Sequence, residues 1–250
     1  MNRPVALVTG VGRPQGIGAG IVRVLAREGW DLVLSRWQPA DEAVFGADAA
    51  AGLESVIAQA RDEGARVVDV PVDLERADAA ASLFATARAE LGEVAALVLS
   101  HAWDIESGIL DTTVEEFDRH FAINARAGWL LIREFARQAD AGGAIVALTS
   151  DHTTGNLPYG ASKAALDRIV ISAARELAPR GISANVLNPG PIDTGWMTDE
   201  VRDVLTGMQP GGRLGAPADV AEVVAFLVSA RGRWVTGQLL SADGGFSISI

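Results

Sequence analysis

The sequence contains no cysteine, so disulfide bonds and thiolate chemistry are excluded. This absence is typical of proteins in a reducing compartment, and we expect a cytoplasmic location. Basic residues are outnumbered, with 21 Lys and Arg against 32 Asp and Glu and a formal net charge of −11. The acidic excess argues against nucleic acid or an anionic membrane as a partner. No apolar run reaches the ~18 residues that a membrane span requires, and the N-terminal segment lacks the apolar core of a signal peptide.

Histidine is also scarce, and its three copies lack a metal-ligand spacing such as H-E-x-x-H. We therefore expect no metal site. We interpret His101 and His120 as structural residues. His152 lies in the loop after Ser150, where it either contacts a substrate or is an ordinary surface residue.

The remaining composition is that of a folded globular chain, with 49% hydrophobic and 21% charged residues among 250. This length allows one large α/β domain or two small ones. Because the sequence shows no repeat, low-complexity block or Pro/Ser-rich linker, we predict one domain over residues 1–250.

A tyrosine and a lysine lie four positions apart in the stretch Tyr159-Gly160-Ala161-Ser162-Lys163. On a helix, this spacing places the two side chains one above the other. An ammonium group one turn away favours the phenolate, so we expect it to lower the phenol pKa from its ordinary ~10. Such a pair transfers protons in carbonyl reduction or alcohol oxidation. The spacing alone also arises by chance on many helices.

Glycines cluster behind a short apolar run, Val5 to Thr9, that is typical of a buried strand. A helical pattern follows them and ends at Gly29. Strand, glycine-rich turn and helix form the arrangement in which backbone N–H groups face a phosphate, although neither G-x-G-x-x-G nor a P-loop is present. A tight turn without a ligand is the alternative. The clustered glycines are Gly10, Gly12, Gly16, Gly18 and Gly20.

Arg36 directly follows the second predicted strand, at the position where dinucleotide-binding proteins read the adenosine ribose. An acidic residue there binds the ribose 2′-OH, whereas an arginine accommodates a 2′-phosphate. Arg13 lies in the glycine-rich turn nearby. The two arginines favour NADP(H) over NAD(H); the alternative is that Arg36 is a solvated loop residue.

Strand-like and helical segments alternate along the whole chain, which predicts a Rossmann-type, doubly wound, mainly parallel seven-stranded sheet with helices on both faces. Ligands of such sheets bind at the carboxyl ends of the strands, where the glycine-rich turn, Ser150 and Pro189-Gly190 all fall. The predicted strands are 5–9, 31–35, 66–70, 95–99, 144–149, 183–187 and 238–241. Predicted helices include 48–63, 77–91, 114–138 and 217–229.

Taken together, these residues resemble the short-chain dehydrogenases/reductases in their single-domain form, and most closely the 3-oxoacyl-[acyl-carrier-protein] reductases. The resemblance runs from residue 5 to residue 245. It is carried by Thr9-Gly10…Gly16-Ile17-Gly18, Asp73-Leu74, Asn124, Ser150, Tyr159/Lys163, the stretch from Asn188 to Thr194, and Gly237…Asp243-Gly244-Gly245.

The resemblance implies four catalytic residues. Tyr159 would be the general acid in reduction or the base in oxidation, and Lys163 would lower its pKa and hold the nicotinamide ribose. Ser150 would hydrogen-bond the substrate oxygen, as an oxyanion hole does. Asn124 would anchor the water chain that reprotonates Tyr159.

The resemblance also implies the cofactor contacts. The glycine-rich turn would admit the pyrophosphate, Asp73 would meet the adenine, and the Pro189-Gly190 turn with Thr194 would position the nicotinamide. Besides Tyr159 and Lys163, the predicted cofactor residues are Gly10, Gly12, Arg13, Gly16, Ile17, Gly18, Arg36, Asp73, Leu74, Ala102, Pro189, Gly190, Ile192 and Thr194.

Three features depart from the family pattern. Five residues separate Gly10 from Gly16, more than usual. Enoyl reductases of the wider family also alter this turn, but they lengthen the Tyr-to-Lys interval, which is unchanged here. Ser100-His101-Ala102-Trp103 replaces Asn-Asn-Ala-Gly, so Trp103 either disturbs the cofactor pocket or walls the substrate site. Ser150 precedes Tyr159 by only nine positions, which leaves Thr149 and Thr153 as alternative catalytic hydroxyls.

The segment 192–212 resembles the mobile substrate lid of this family. Its apolar residues suggest a hydrophobic or aromatic substrate, although an ordinary packed helix would show the same pattern. The candidate substrate contacts are Trp103, His152, Trp196 and Met197.

We therefore predict an NADP(H)-dependent oxidoreductase that transfers hydride between the nicotinamide and a small-molecule carbonyl or secondary alcohol, an acyl thioester included. The alternatives are an NAD-dependent alcohol or sugar dehydrogenase and a non-catalytic dinucleotide-binding sensor. The family forms homodimers or homotetramers through paired helices. The apolar face after Tyr159 suits that pairing or an intramolecular core; it presents Leu166, Ile169, Val170, Ala173 and Leu177.

Overall fold

The computed structural model describes residues 3–46, 48, 50–151, 155–195 and 197–248. Seven strands form one sheet in the order β3-β2-β1-β4-β5-β6-β7, and every neighbouring pair is parallel. This confirms the predicted doubly wound sheet. The strands are β1 (Val5–Thr9), β2 (Asp31–Arg36), β3 (Val67–Pro71), β4 (Val94–Leu99), β5 (Gly143–Leu148), β6 (Ile182–Asn188) and β7 (Leu239–Ser241).

The helices cover both faces of this sheet because the strands are apolar on both sides. In β1, Ala6 and Val8 pack into the cluster on one face, and Val5 and Leu7 pack into the cluster on the other. The helices are α1 (Ile17–Arg27), α2 (Gln38–Phe45), α3 (Leu53–Asp62), α4 (Ala79–Glu90), α5 (Val114–His120), α6 (Ala127–Gln138), α7 (Leu157–Leu177), α8 (Asp199–Met208) and α9 (Pro217–Val228).

Two helical segments differ from the sequence-based prediction. The predicted helix 48–63 begins later, as α3 at Leu53, and a helix that was not predicted, α2, precedes it. Gly46 caps the end of α2 and Gly52 the start of α3, and both have positive φ, 89° and 86°. The predicted long helix 114–138 is interrupted by a π-helical turn, Phe121–Arg126, between α5 and α6. Such turns widen a helix locally and are frequent at functional sites.

The apolar face of α7 packs inside the protein. Leu166, Val170 and Ala173 are buried in one of the two core clusters, and Ile169 and Leu177 pack against it. Of the two interpretations of this face, the structure therefore supports the intramolecular core. Within the described ranges, no helix has the length and apolarity needed to cross a bilayer.

Gly10 follows β1 at the carboxyl edge of the sheet and has a φ of +73°. A Cβ atom at this position would lie 2.6 Å from the backbone of His101, which follows β4. Both the backbone conformation and the close approach of the two chain segments therefore require glycine.

We expect Gly10→Ala to destabilise the fold by about 1–3 kcal/mol, because the residue would be strained and the His101 backbone would have to move. Urea unfolding followed by circular dichroism measures this loss. Gly207→Ala is the matched control, since Gly207 lies in α8 with nothing within 4 Å of an added Cβ. A loss no larger for Gly10→Ala than for the control would contradict this account.

Candidate functional site

A cavity of about 230 Å³ lies at the carboxyl edge of the sheet. It is formed by the loops after β1, β2, β3 and β4, which is where parallel sheets bind ligands. Eleven residues named from the sequence line it: Gly10, Arg13, Gly16, Ile17, Gly18, Arg36, Asp73, Leu74, Ala102, Trp103 and Thr194.

The N-terminus of α1 faces this cavity and is suited to bind an anion. Gly16 is the N-cap residue and has no side chain to satisfy the first N–H groups of the helix. A Cβ atom at Gly18 would lie 2.8 Å from the carbonyl oxygen of Gly10. The loop and the helix are therefore in close contact at a positive helix end that no side chain caps, the arrangement that binds a pyrophosphate.

Arg36 lines the cavity, but an acidic residue already binds its guanidinium group. Its Nε donates to both carboxylate oxygens of Asp69 on β3, at 3.0 and 2.9 Å, and its Nη2 lies 2.8 Å from Oδ2. The two side chains meet because β2 and β3 are parallel and aligned, with Arg36 opposite Pro71. The sequence analysis did not foresee this partner.

Arg13 spans the cavity from the glycine-rich turn. Its guanidinium stacks on the ring of Phe45 at 3.5 Å from the centroid, and Nη1 donates to the carbonyl of Thr194 at 3.0 Å. Burial lowers the pKa of Arg13, and the charge of Asp41 opposes that shift. This arginine therefore links three walls of the cavity.

His101 belongs to a buried hydrogen-bond network at the end of β4. Its Nε2 lies 3.0 Å from the carbonyl oxygen of Ile123, which only accepts, so Nε2 carries the proton and Nδ1 accepts from the Thr9 hydroxyl at 2.7 Å. Burial, with the charge of Lys163 second, lowers the His101 pKa to about 3. The imidazole is neutral and links β1, β4 and the π-helical turn.

Asn124 lies in the π-helical turn and holds the loop after β4. Its Oδ1 accepts from the backbone N–H of Trp103 at 2.7 Å, while Nδ2 donates to the Trp103 carbonyl and to the Ser162 hydroxyl, both at 2.9 Å. The indole of Trp103 donates to Glu116 at 3.1 Å, with Arg119 stacked on its ring. Trp103 is therefore fixed in the wall of the cavity by contacts to α5.

Lys163 is buried on α7, where its Nζ donates to the carbonyl oxygens of Leu148 at 3.1 Å and His101 at 3.4 Å. The ammonium group lies 5.7 Å from the ring centroid of Tyr159. Burial lowers the pKa of Lys163 to about 8, although the charges of Asp167 and Asp104 raise it. The amine is still mainly protonated at neutral pH.

Tyr159 forms a hydrogen bond with the side chain of Ser150, in spite of the short interval between them. The expected lowering of the phenol pKa is not found. Burial raises this pKa, the charge of Asp104 raises it further, and only the Ser150 hydrogen bond opposes the shift. The expectation considered the ammonium group without the loss of solvent, which is the larger effect here.

Asp104 is a charged neighbour of the Tyr159/Lys163 pair that sequence reasoning missed. Its carboxylate is exposed and accepts a hydrogen bond from Asn156, the N-cap residue of α7. Because Asp104 directly follows the fixed Trp103, its position beside the pair is also fixed. The departure from the family pattern at Ser100–Trp103 was the only sequence signal near it.

The other named residues lie outside the cavity lining. Gly12 packs under Asp41. Gly190, which follows Pro189 in the loop after β6, packs on Asp243. Ile192 and Met197 are buried. Thr149 interacts with Asp167. His152, Thr153 and Trp196 lie outside the described residues.

His120 is buried, donates from Nδ1 to the Glu116 carbonyl at 2.7 Å, and accepts at Nε2 from the N–H of Ile105 at 3.2 Å. It therefore supports the loop before α5. No group of three or more candidate metal ligands occurs in the part of the chain that the structure describes.

Comparison with known proteins identifies the family. The family model that matches residues 10–247 is described as Enoyl-(Acyl carrier protein) reductase. The short chain dehydrogenase/reductase nsrJ of Aspergillus novofumigatus is 33% identical, over 98% of this chain and 96% of the relative. The chain belongs to the short-chain dehydrogenase/reductase family. It is therefore an oxidoreductase of the class that interconverts carbonyl and alcohol groups.

Further relatives and solved structures agree with this assignment. The uncharacterized oxidoreductase YjdA of Bacillus subtilis is 34% identical, over 97% of this chain and 96% of the relative. A blue fluorescent protein from a metagenomic library, solved in complex with NADPH, has a TM-score of 0.86 and 30% identity over 98% of each chain. The angucycline C-6 ketoreductase LanV with bound NADP has a TM-score of 0.86 and 29% identity, covering 98% of this chain and 96% of its own.

We expect the phenol of Tyr159 in this short-chain dehydrogenase/reductase to titrate above its ordinary ~10. Since it is the only tyrosine, ¹³C-tyrosine NMR gives one Cζ resonance that reports its pKa. Asp104→Asn should move the titration to lower pH, because it removes a negative charge that raises this pKa. Glu106→Gln removes an exposed charge two residues away and should leave the titration unchanged. A wild-type midpoint below 10, or equal shifts in both variants, would contradict the assignment.

Proposed function

We propose that this protein reduces ketones with NADPH, and that Tyr159 supplies the proton. The observation that carries the proposal is the arrangement of Tyr159, hydrogen-bonded to Ser150 and followed one turn later by the buried Lys163, beside a cleft lined by glycines and a helix N-terminus. The unchanged four-residue Tyr-to-Lys interval supports carbonyl over enoyl reduction.

In this mechanism, each residue acts through the contacts described above. Tyr159 is protonated at neutral pH and donates its proton to the developing alkoxide, which is a stronger base than the phenolate. Ser150 hydrogen-bonds the same oxygen and stabilises its charge. Lys163 would hold the nicotinamide ribose, and Asn124 fixes the loop that bears Trp103. When bound, the dinucleotide supplies the hydride.

The cofactor assignment depends on the glycine-rich turn before α1 and on the two arginines. Gly10, Gly16 and Gly18 let a pyrophosphate approach the N-terminus of α1. Arg13 and Arg36 at the adenosine end favour NADP(H), in agreement with the NADPH and NADP in the related blue fluorescent protein and LanV. Asp73 and Leu74, which line the same cavity, would hold the adenine.

We propose a neutral, largely apolar or aromatic ketone as the substrate, with 3-oxoacyl thioesters as one member of this class. The carboxylate of Asp104 opposes anionic groups next to the reacting carbonyl. The segment 192–212 forms the lid: none of the residues of α8 is buried, and Val201, Val204 and Met208 expose apolar side chains. Relatives named as versicolorin reductases and as an angucycline ketoreductase support aromatic ketones.

We further propose that the chain forms a homodimer or homotetramer. Large apolar side chains are exposed on α6, at Trp129, and around the edge strand β7, at Phe226, Trp234 and Leu239. Light scattering during gel filtration should give a mass of two or four chains. A mass of one chain at micromolar concentration would contradict the proposal.

Replacing Tyr159 by phenylalanine should lower kcat for ketone reduction by about 10²–10⁴-fold, because the proton donor is removed. The dissociation constant for NADPH, measured by nucleotide fluorescence, should stay within about twofold, since the phenol is not among the residues lining the cleft.

The assay uses NADPH oxidation with a panel of aromatic ketones, a 3-oxoacyl thioester and a keto acid. Full activity of Tyr159→Phe would overturn the assignment of Tyr159. Binding of NADPH by the wild type without turnover of any ketone would favour the non-catalytic sensor instead.

A further inference from the structure

An acidic side chain lies in the cleft wall at the end where the two arginines are found. Asp41, in the first turn of α2, lines the cavity together with Arg13 and Arg36. Its carboxylate rests on the glycine-rich turn so closely that a Cβ atom at Gly12 would collide with it. Glycine at position 12 is therefore the residue that makes room for this acid.

The carboxylate is close to two cations but is not hydrogen-bonded to either in the part of the chain that the structure describes. Burial raises the pKa of Asp41, and the charges of Arg13 and then Arg36 oppose that shift. Arg13 directs its N–H group to the Thr194 carbonyl, and Arg36 directs its own to Asp69. Asp41 thus contributes a partly desolvated negative charge to this wall.

The positive charge at this end of the cleft is therefore opposed by carboxylates. Asp41 lies in the wall beside the two guanidinium groups, Asp69 lies behind Arg36, and the charge of Glu54 also acts on Arg36. NADP(H) differs from NAD(H) only by a 2′-phosphate, a dianion near neutral pH. Such a group is attracted by the arginines and repelled by the nearby carboxylate, whereas a ribose hydroxyl is nearly indifferent to both.

We propose that Asp41 is a specificity-determining residue whose carboxylate, seated on Gly12 beside Arg13 and Arg36, limits the preference for NADP(H) and keeps NAD(H) usable. The inference rests on the proposed function, in that a nicotinamide dinucleotide must bind this cleft. It assigns α2, a helix that the sequence analysis did not predict, to cofactor choice.

The test measures binding without turnover, with two probes that lack the nicotinamide. Isothermal titration calorimetry gives dissociation constants for adenosine 2′,5′-bisphosphate and for adenosine 5′-monophosphate. Asp41→Asn should tighten binding of the bisphosphate about tenfold, which corresponds to ~1.4 kcal/mol. Binding of the monophosphate should change less than about twofold, because that probe has no 2′-phosphate.

Glu42→Gln is the matched control, since it removes the neighbouring charge of the same helix, a carboxylate that accepts from Gln38. It should change neither constant. Asp41→Ala serves as a second variant, and the circular dichroism and melting temperature of each variant show whether it is folded. The tightening should also diminish at high salt, as expected for a partly exposed charge.

The outcomes separate the two proposals. Weaker monophosphate binding by Asp41→Asn would mean that Asp41 binds a ribose hydroxyl, which overturns the inference. Unchanged bisphosphate binding in both Asp41 variants would overturn the inference as well. In that case, binding of the probes by the wild type would still support the proposed cofactor site. Failure of the wild type to bind either probe would reject the cofactor site and, with it, the inference.

Discussion

The buried ammonium group of Lys163 is the constraint on which the candidate site depends. A charge removed from water is costly unless polar groups replace the solvent. Here the replacement comes from the carbonyl oxygens of Leu148 and His101, at the ends of β5 and β4. Because Leu148 belongs to β5 and His101 is held by its contacts with Thr9 and Ile123, the lysine fixes the position of α7 against this edge of the sheet. Tyr159, one turn earlier on the same helix, is positioned as a consequence.

The loop after β4, whose sequence departs from the family pattern, helps to hold Lys163 and the wall of the cleft in place. His101 stays neutral and connects Thr9 with Ile123, so it adds no second positive charge beside Lys163. Asn124 uses both ends of its amide to hold the backbone of Trp103. The bulky indole lies against Arg119 and Glu116, where a glycine would leave space. The residues that depart from the family pattern therefore supply both a bulky wall for the cleft and a loop backbone held by Asn124.

The sequence was sufficient to predict features that depend on local patterns. Apolar β-branched runs predicted the strands, and the glycine cluster predicted the turn before α1. The contacts of Arg36 were not predictable in this way. Asp69 lies 33 positions away and meets Arg36 only because β2 and β3 pair in register, with Leu34 opposite Asp69 and Arg36 on the same side as Leu34.

Two acidic residues of the site, Asp41 and Asp104, were not predicted, for a related reason. Asp41 belongs to α2, which ends at Phe45, before the predicted helix 48–63, and was not predicted from the sequence. Asp104 follows a segment recognised only as a departure from the family pattern. Each of these two carboxylates acts electrostatically on residues that are distant in the sequence. A motif of neighbouring residues does not show such an interaction. Where charges come from separate elements, the direction in which they shift a pKa follows only from the three-dimensional structure.

The direction of the pKa shift of Tyr159 bears on the proposed reaction. A lysine beside a tyrosine is commonly read as a device for making phenolate, which suits alcohol oxidation. In this protein, burial and Asp104 together raise the pKa of Tyr159, and the ammonium group is engaged with backbone carbonyls. A phenol with a raised pKa is in its protonated form at neutral pH, although the raised pKa also makes it a weaker proton donor. The proposed carbonyl reduction starts from this protonated phenol, whereas alcohol oxidation would first need the phenolate, which a more alkaline solution or an added positive charge near the ring would favour.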